Sequence, residues 1–197
     1  MASESKGFTR LKKLSKEIPP EQDVLKLLRS LTSIDHHAAD RAAAIVGGTL
    51  LEAALGTAIE SKFVPLDRKT ERPMLFDGEK NGPISTFSSR IRIGYALGLY
   101  GPETQEELEC IKAVRNAFAH GAMRLKFQTP QISDICAQLT LFEKSSISEA
   151  LWGSTPKDRY ISTVAFIASR LKTNLSKRPA RTILEWATVM HQWGQLT

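Results

Sequence analysis

This sequence has few of the features that mark secreted or membrane proteins. Its 197 residues include only two cysteines, Cys110 and Cys136, whose spacing fits neither a disulfide framework nor a metal or redox motif. The N-terminus has no apolar core of signal-peptide length. The most apolar run, Ala42 to Ile59, is interrupted by Glu52 and falls short of the roughly 20 apolar residues that cross a bilayer. We therefore expect a cytoplasmic protein without membrane contact, and a buried thiol at Cys110.

Motifs for metals, cofactors and nucleophiles are also scarce. His36 and Asp40 lie one helical turn apart, but the sequence offers no third ligand beside them. Gly47 and Gly48 lie within a predicted helix and not in a phosphate-binding loop. No GxSxG or Cys-His nucleophile pattern occurs. We expect no metal and no cofactor.

The charge of the chain is mildly basic. Lys and Arg exceed Asp and Glu by 27 to 21, which gives a net charge of +6 and a pI near 9.4. This balance permits RNA or DNA as a partner without requiring either. No helix-turn-helix spacing is present, so base-specific reading of the major groove is not supported.

Helical periodicity runs through most of the chain and predicts an all-α protein, a helical bundle with peripheral helices. We divide it into a polar N-terminal arm (1–18), a helical core domain (19–145) and C-terminal helices (146–197). The last segment packs on the core or in a dimer interface. A homodimer is predicted from its apolar stripe of Ile183, Trp186, Met190 and Trp193.

Caps and breakers set the expected helix boundaries. Pro19-Pro20 opens a first helix with Val24, Leu27, Leu28 and Leu31 on one face. Asp35 is the expected N-cap of a long helix over 36–62. Because adjacent glycines weaken a helix by about 1 kcal/mol each, Gly47 and Gly48 indicate close approach of a neighbouring helix.

Further along, the pattern is less regular before it becomes helical again. Residues 62–83 read as a long, partner-facing loop. Residues 90–99 fit either a strand or a helix, and we interpret them as helix because a lone strand would have no partner. A helix from Pro102 to His120 with Gly121 at C′ follows, then helices over 131–142, after Ser154-Thr155-Pro156, and after Pro179.

The segment Arg115-Asn116-Ala117-Phe118-Ala119-His120 holds a cation, an amide and an imidazole near one helix end. In one interpretation these residues are structural: Arg115 reaches out from the core edge, and His120 interacts with the helix C-terminus. In the other they cleave RNA without metal, which requires a base for the 2′-hydroxyl and a cation for the phosphorane. Arg115 and His120 point about 140° apart on one helix, so that site would need two copies around a two-fold axis.

A second polar group lies on the long helix. Arg41, Gly48 and Glu52 fall on one line of its surface, but Arg41 and Glu52 are about 16 Å apart along the axis and cannot pair. Each therefore needs another partner, for which Arg90, Arg115 and His120 are the candidates. We take these five charged or titratable residues as a candidate binding site.

Two resemblances follow from these residues. Arg115-Asn116-x-x-x-His120 on a late helix of a bundle resembles the signature of the HEPN domain superfamily. That resemblance implies either a dimeric ribonuclease with Arg115, Asn116 and His120 as its catalytic residues, or a non-catalytic nucleotide or nucleic-acid binder.

A longer resemblance, over roughly 35–121, is to the mannitol-operon repressor family. Its three blocks are Asp40 to Val46 running into Leu50-Leu51-Glu52; Gly82-Pro83 with Phe87 to Ile91 and Tyr95 to Gly98; and Ile111 to His120. It implies a helical, cytoplasmic bacterial transcription regulator without a recognisable DNA-reading helix, acting through a dimer or protein partners. We rank this first, a metal-independent ribonuclease second, and a non-catalytic interaction module using the same cleft third.

Overall fold

A computed structural model describes residues 21–32, 36–121, 124–143 and 155–173. Within these ranges the protein is all-α and has no strand, which confirms the expected fold class. The helices, in chain order, are α1 (Glu21–Thr32), α2 (His37–Glu60), α3 (Glu71–Phe76), α4 (Phe87–Ala96), α5 (Pro102–His120), α6 (Pro130–Ala137) and α7 (Pro156–Thr173). A short 3₁₀ turn, Gly78–Lys80, separates α3 from α4.

Helix α2 forms the centre of the bundle and packs against α1, α4, α5 and α7. Its buried residues lie on several sides, as expected for a helix with neighbours all around it. By length and composition α2 could cross a membrane, but 56% of its most apolar window is buried inside the fold. This is the environment of a core helix, and it is consistent with a soluble protein.

Helices α4 and α5 can each be compared with a sequence prediction. Helix α4 confirms the helical interpretation for 90–96: Thr86 and Ser89 form a reciprocal capping box at its start, and Ile91 is fully buried. For 97–99 the prediction is wrong, because the helix ends at Ala96 and the chain turns. The alternation that suggested a strand is incidental, because Tyr95 is 43% exposed. Helix α5 begins at Pro102 and ends at His120, as predicted.

One predicted helix face and two predicted caps need correction. At α1, Leu28 is buried but Leu27 is exposed, so the apolar face is narrower than expected. At α2, the Nδ1 of His36 accepts from the amide of Ala38 as the N-cap, while Asp35 lies outside the described residues. Gly121 is extended and not left-handed; a Cβ there would lie 2.6 Å from the carbonyl oxygen of Ala117, so close approach explains this glycine.

Residues 62–83 are more ordered than a loop, since they contain α3 and the 3₁₀ turn. Asp67 Oδ1 accepts from the amides of Lys69 and Thr70 and closes the turn before α3. Phe76 is buried in the main core, whereas Met74 is exposed. The segment therefore packs on the bundle through its apolar side chains and leaves its charged turn outside.

The later helices follow the sequence closely up to residue 173. Helix α6 ends at Ala137, earlier than expected, because the chain turns to place the amides of Thr140 and Leu141 on the carboxylate of Glu107. Helix α7 starts after Thr155 as predicted, with a reciprocal Thr155–Asp158 cap. The N-terminal arm, the helix after Pro179 and the Trp186/Trp193 stripe lie outside the described residues, so the domain division and the homodimer stay predictions.

The two thiols differ in a way the sequence did not predict. Cys110, expected to be buried, is half-buried on α5, whereas Cys136 on α6 is fully buried. Burial, with a smaller contribution from Cys110, raises the pKa of the Cys136 thiol to about 12. Burial and nearby glutamates also raise the pKa of Cys110.

We expect the native protein to react with a thiol reagent such as DTNB slowly at Cys110 and not at Cys136. The thiolate is the reacting species, and a raised pKa removes it at neutral pH. Labelling should become faster as pH rises toward the thiol pKa. Mass spectrometry after labelling at pH 8 assigns the modified residue, with urea-unfolded protein as the control that labels both. Native labelling of Cys136 first would contradict the packing of α6.

Candidate functional site

The candidate site is a cluster of charged side chains where α2, α4 and α5 meet. Glu52 from α2 faces two guanidinium groups: its Oε1 lies 3.8 Å from Arg90 Nη1, and its Oε2 lies 3.8 Å from Arg115 Nη2. The three side chains are 15–28% exposed. Both contacts are ion pairs longer than a hydrogen bond. One carboxylate serves two cations, so the cluster has one positive charge in excess.

Arg90 is fixed by backbone carbonyls as well as by charge. Its Nη1 donates to the carbonyl oxygen of Glu52 at 2.9 Å, and its Nε donates to that of Ile84 at 3.0 Å. Burial lowers the pKa of the Arg90 guanidinium. The nearby cation Arg72 lowers it further, whereas the carboxylate of Glu52 raises it. Since an arginine pKa starts far above neutral pH, Arg90 stays charged. It joins α4 to α2.

Both the aliphatic stem and the guanidinium of Arg115 make contacts within the fold. A Cβ built on Gly48 would lie 2.9 Å from Arg115 Cβ and 2.6 Å from its Cγ, so the arginine stem packs directly on the glycine. Its Nη1 donates to Asn116 Oδ1 at 2.9 Å. Its Nε is buried and has no hydrogen-bond partner among the described residues. This packing confirms the close helix approach that the paired glycines predicted.

The other predicted site residues lie at the end of α5, away from Glu52. Arg41 is exposed and its Nη2 donates to the carbonyl oxygen of Ala119 at 3.1 Å. His120 is the last residue of α5 and is exposed. The structure thus brings Glu52, Arg90, Arg115 and Asn116 into one cluster, and places Arg41 and His120 at the helix terminus.

Tyr160 on α7 belongs to the same region and was missed by sequence reasoning. It is fully buried, its hydroxyl donates to the carbonyl oxygen of Ala44 at 2.7 Å, and its ring would lie 3.0 Å from a Cβ on Gly47. Burial raises the pKa of the phenol, so it stays a neutral donor. Its position one turn before Val164 in the apolar stripe of α7 was the available signal.

A buried ion pair was also missed. Asp40, 1% exposed, contacts the Nζ of Lys157 at 3.0 Å through Oδ1 and accepts from the amide of Phe127 at 3.0 Å through Oδ2. Asp40 therefore neutralises a lysine inside the fold, which leaves it unsuited to the metal role considered with His36. Among the described residues, no group of three His, Cys, Asp or Glu is arranged for a metal ion.

Replacing Gly48 with leucine is expected to lower the free energy of unfolding by about 1–3 kcal/mol. The larger side chain would overpack the crossing and push the aliphatic stem of Arg115, and with it α5, away from α2. The matched control is Gly56→Ala in the same helix. A Cβ at Gly56 meets Arg90 at ordinary contact distance, 3.5 Å, so this change should be neutral or slightly stabilising. Urea unfolding measures both. Equal stability of the two variants would mean that Gly48 is not at a tight crossing.

What the cluster can do chemically follows from its contacts. Arg115 already faces a carboxylate and an amide oxygen, so a phosphorane would have to compete with Glu52 for it. The cluster is therefore better suited to hold three helices together, or to bind an anion weakly through its excess charge, than to catalyse. No family model, no curated protein and no solved structure matches this chain.

Proposed function

We propose that this protein is a transcription regulator of the mannitol-operon repressor type that acts through oligomerisation or protein partners and is not an enzyme. The observation that carries the proposal is the engagement of Arg115. Its guanidinium faces Glu52 and Asn116, and its stem packs on Gly48. The residue that a ribonuclease would need free is used to join α2 to α5.

The contacts between the three resembling blocks support the same family. Glu52 of the first block meets Arg90 of the second and Arg115 of the third. Arg41 of the first block donates to the backbone of Ala119 in the third. Segments that are separate in sequence thus supply the parts of one polar cluster, which gives the shared pattern a physical reason.

A ribonuclease of the HEPN type remains the second candidate, and one observation favours it. His120 is exposed at the end of α5, beside a turn to which the cation Arg41 is bound. The imidazole follows directly on the residue whose carbonyl binds the guanidinium, which offers RNA a candidate base and a candidate charge stabiliser. Against it, Arg115 is compensated by Glu52.

Two measurements separate these functions. Purified protein is incubated with RNA in EDTA: a regulator cleaves nothing, whereas cleavage lost in both His120→Ala and Arg115→Ala would overturn the proposal. Transcripts are then compared in cells with and without the gene. A small set of transcripts that rises on deletion and falls on complementation is expected, and an unchanged profile would count against regulation.

We expect the charged turn of 62–83, residues 67–71, and the neighbouring Met74 to contact a partner, because they are exposed on a segment that is held to the bundle by the buried Phe76. Substitution is preferable to deletion, since Glu71 Oε2 accepts from the amide of Asp67 at 2.8 Å and holds the turn. Lys69→Ala with Met74→Gln should leave the melting temperature unchanged and reduce regulation in the transcript measurement. Arg92→Gln, an exposed change on α4, is the control. Full regulation by the double variant would exclude this surface.

A further inference from the structure

Basic side chains gather at the end of the bundle where α2 begins and α5 ends. We call them the basic end patch; its members are His36, His37, Arg41, His120, Arg124 and Lys126. His37 is half-buried and the other five are exposed. They come from three separate stretches of the chain, so their proximity is a property of the fold.

Two contacts bring these stretches together. The hydrogen bond from Arg41 Nη2 to the carbonyl oxygen of Ala119 places the second turn of α2 against the last turn of α5, next to His120. The hydrogen bond from the amide of Phe127 to Asp40 Oδ2 anchors the preceding residues, which include Lys126, beside the same turn of α2. Both anchors hold the backbone, so the patch has a defined shape.

The charges of the patch act on one another. Desolvation and the neighbouring His36, Arg124 and Lys126 lower the pKa of His37, against the opposing effect of Asp40. Asp40 is the one acidic group that acts on His37 within the described ranges, and it is 1% exposed and paired with Lys157. At His37 the basic neighbours together with desolvation therefore outweigh this carboxylate, and the exposed members of the patch are all basic side chains.

We propose that the basic end patch binds the phosphodiester backbone of a nucleic acid. Arg41, Arg124 and Lys126 supply fixed positive charges for phosphates, and the imidazoles of His36 and His120 add hydrogen-bonding groups at its edge. Contacts to phosphates carry no sequence information, so we expect binding that is independent of sequence. This inference goes beyond the proposed regulator, which requires only protein contacts, and differs from the ribonuclease alternative because it requires binding and no cleavage.

The test is fluorescence anisotropy of the full chain with short labelled probes: single-stranded RNA, single-stranded DNA and duplex DNA. The variant is Arg41→Gln/Arg124→Gln/Lys126→Gln. The matched control, Lys80→Gln/Arg92→Gln/Arg170→Gln, also removes two arginines and one lysine, but from exposed positions outside the patch. Thermal melting shows whether each variant folds. If loss of the Arg41 contact unfolds the triple variant, Arg124→Gln/Lys126→Gln replaces it.

Wild type should bind at least one probe, with affinity falling steeply between about 50 and 200 mM salt. The patch variant should bind at least about tenfold more weakly, and its logarithmic salt slope should be shallower by about 2. The control should stay within about twofold of wild type. The preferred probe identifies RNA or DNA as the ligand.

Two results would overturn the inference: absence of wild-type binding at the lowest salt, or equal weakening by the control, which would mean that net charge alone drives binding. Neither result depends on transcription. If the transcripts respond but no probe binds, the proposed regulator is retained and the nucleic-acid patch is rejected. If a probe binds but the transcripts do not respond, the patch is retained and the regulator is rejected.

Discussion

Replacing Asp40 with alanine is expected to destabilise the protein by about 3–5 kcal/mol, the largest single effect we predict. The carboxylate is 1% exposed and contacts the Nζ of Lys157, itself 4% exposed, at 3.0 Å. Removing it takes the charge of Asp40 away from a buried ammonium. It also leaves the amide of Phe127 without its acceptor. Both losses fall at the junction of α2, α7 and the segment before α6.

A double-mutant cycle separates the charge from the hydrogen bond. Lys157→Met removes the ammonium and keeps an unbranched stem, and Asp40→Asn keeps an acceptor for Phe127. Each single change leaves one buried charge. The double variant should therefore cost less than the sum of the two single changes, and the difference, the coupling energy, should be on the order of 1–3 kcal/mol. Urea unfolding at pH 7 provides the free energies. Strictly additive values would show that the pair contributes no specific interaction.

The helices of this protein could be predicted from sequence because their signals are local. The start of α5 at Pro102 and its end before Gly121 depend on residues within one turn of each boundary. The capping pair Thr155–Asp158 at α7 is equally local. The apolar spacing of α1 also placed Leu28 on its inner face, where it is fully buried.

The contacts between distant segments could be predicted only in part. The sequence indicated that Glu52 on α2 needs a charged partner, and two of the candidates named for it, Arg90 and Arg115, are the residues it contacts. The pair of Asp40 with Lys157 could not be foreseen, since a lysine in the first turn of a helix usually faces solvent. Its burial depends on how α7 crosses α2, which no local pattern specifies. The positions of Arg124 and Lys126 beside the start of α2 likewise could not be predicted from a local pattern.

Replacing Glu52 with glutamine is expected to cost about 2–3 kcal/mol, between the values for surface and fully buried ion pairs. Glutamine keeps the size of the side chain, and the backbone carbonyl still accepts from Arg90. What is lost is the negative charge between Arg90 and Arg115, which are 15% and 28% exposed. Two guanidinium groups then share a partly buried space without a carboxylate, and the helices α4 and α5 lose their common attachment to α2.

The control for this change is Glu60→Gln, two turns later on the same helix. Glu60 pairs with Arg72 at 2.9 Å, but the arginine is 44% exposed, so that bridge is expected to contribute no more than about 1 kcal/mol. If Glu52→Gln costs no more than Glu60→Gln, the cluster does not hold the helices together and Arg115 is not committed to structure. Adding Arg115→Met to Glu52→Gln should recover part of the lost stability, because the unpaired charge is removed with its partner. Recovery would place the energetic role of Arg115 in the fold, which is the physical basis for ranking a regulator above a ribonuclease.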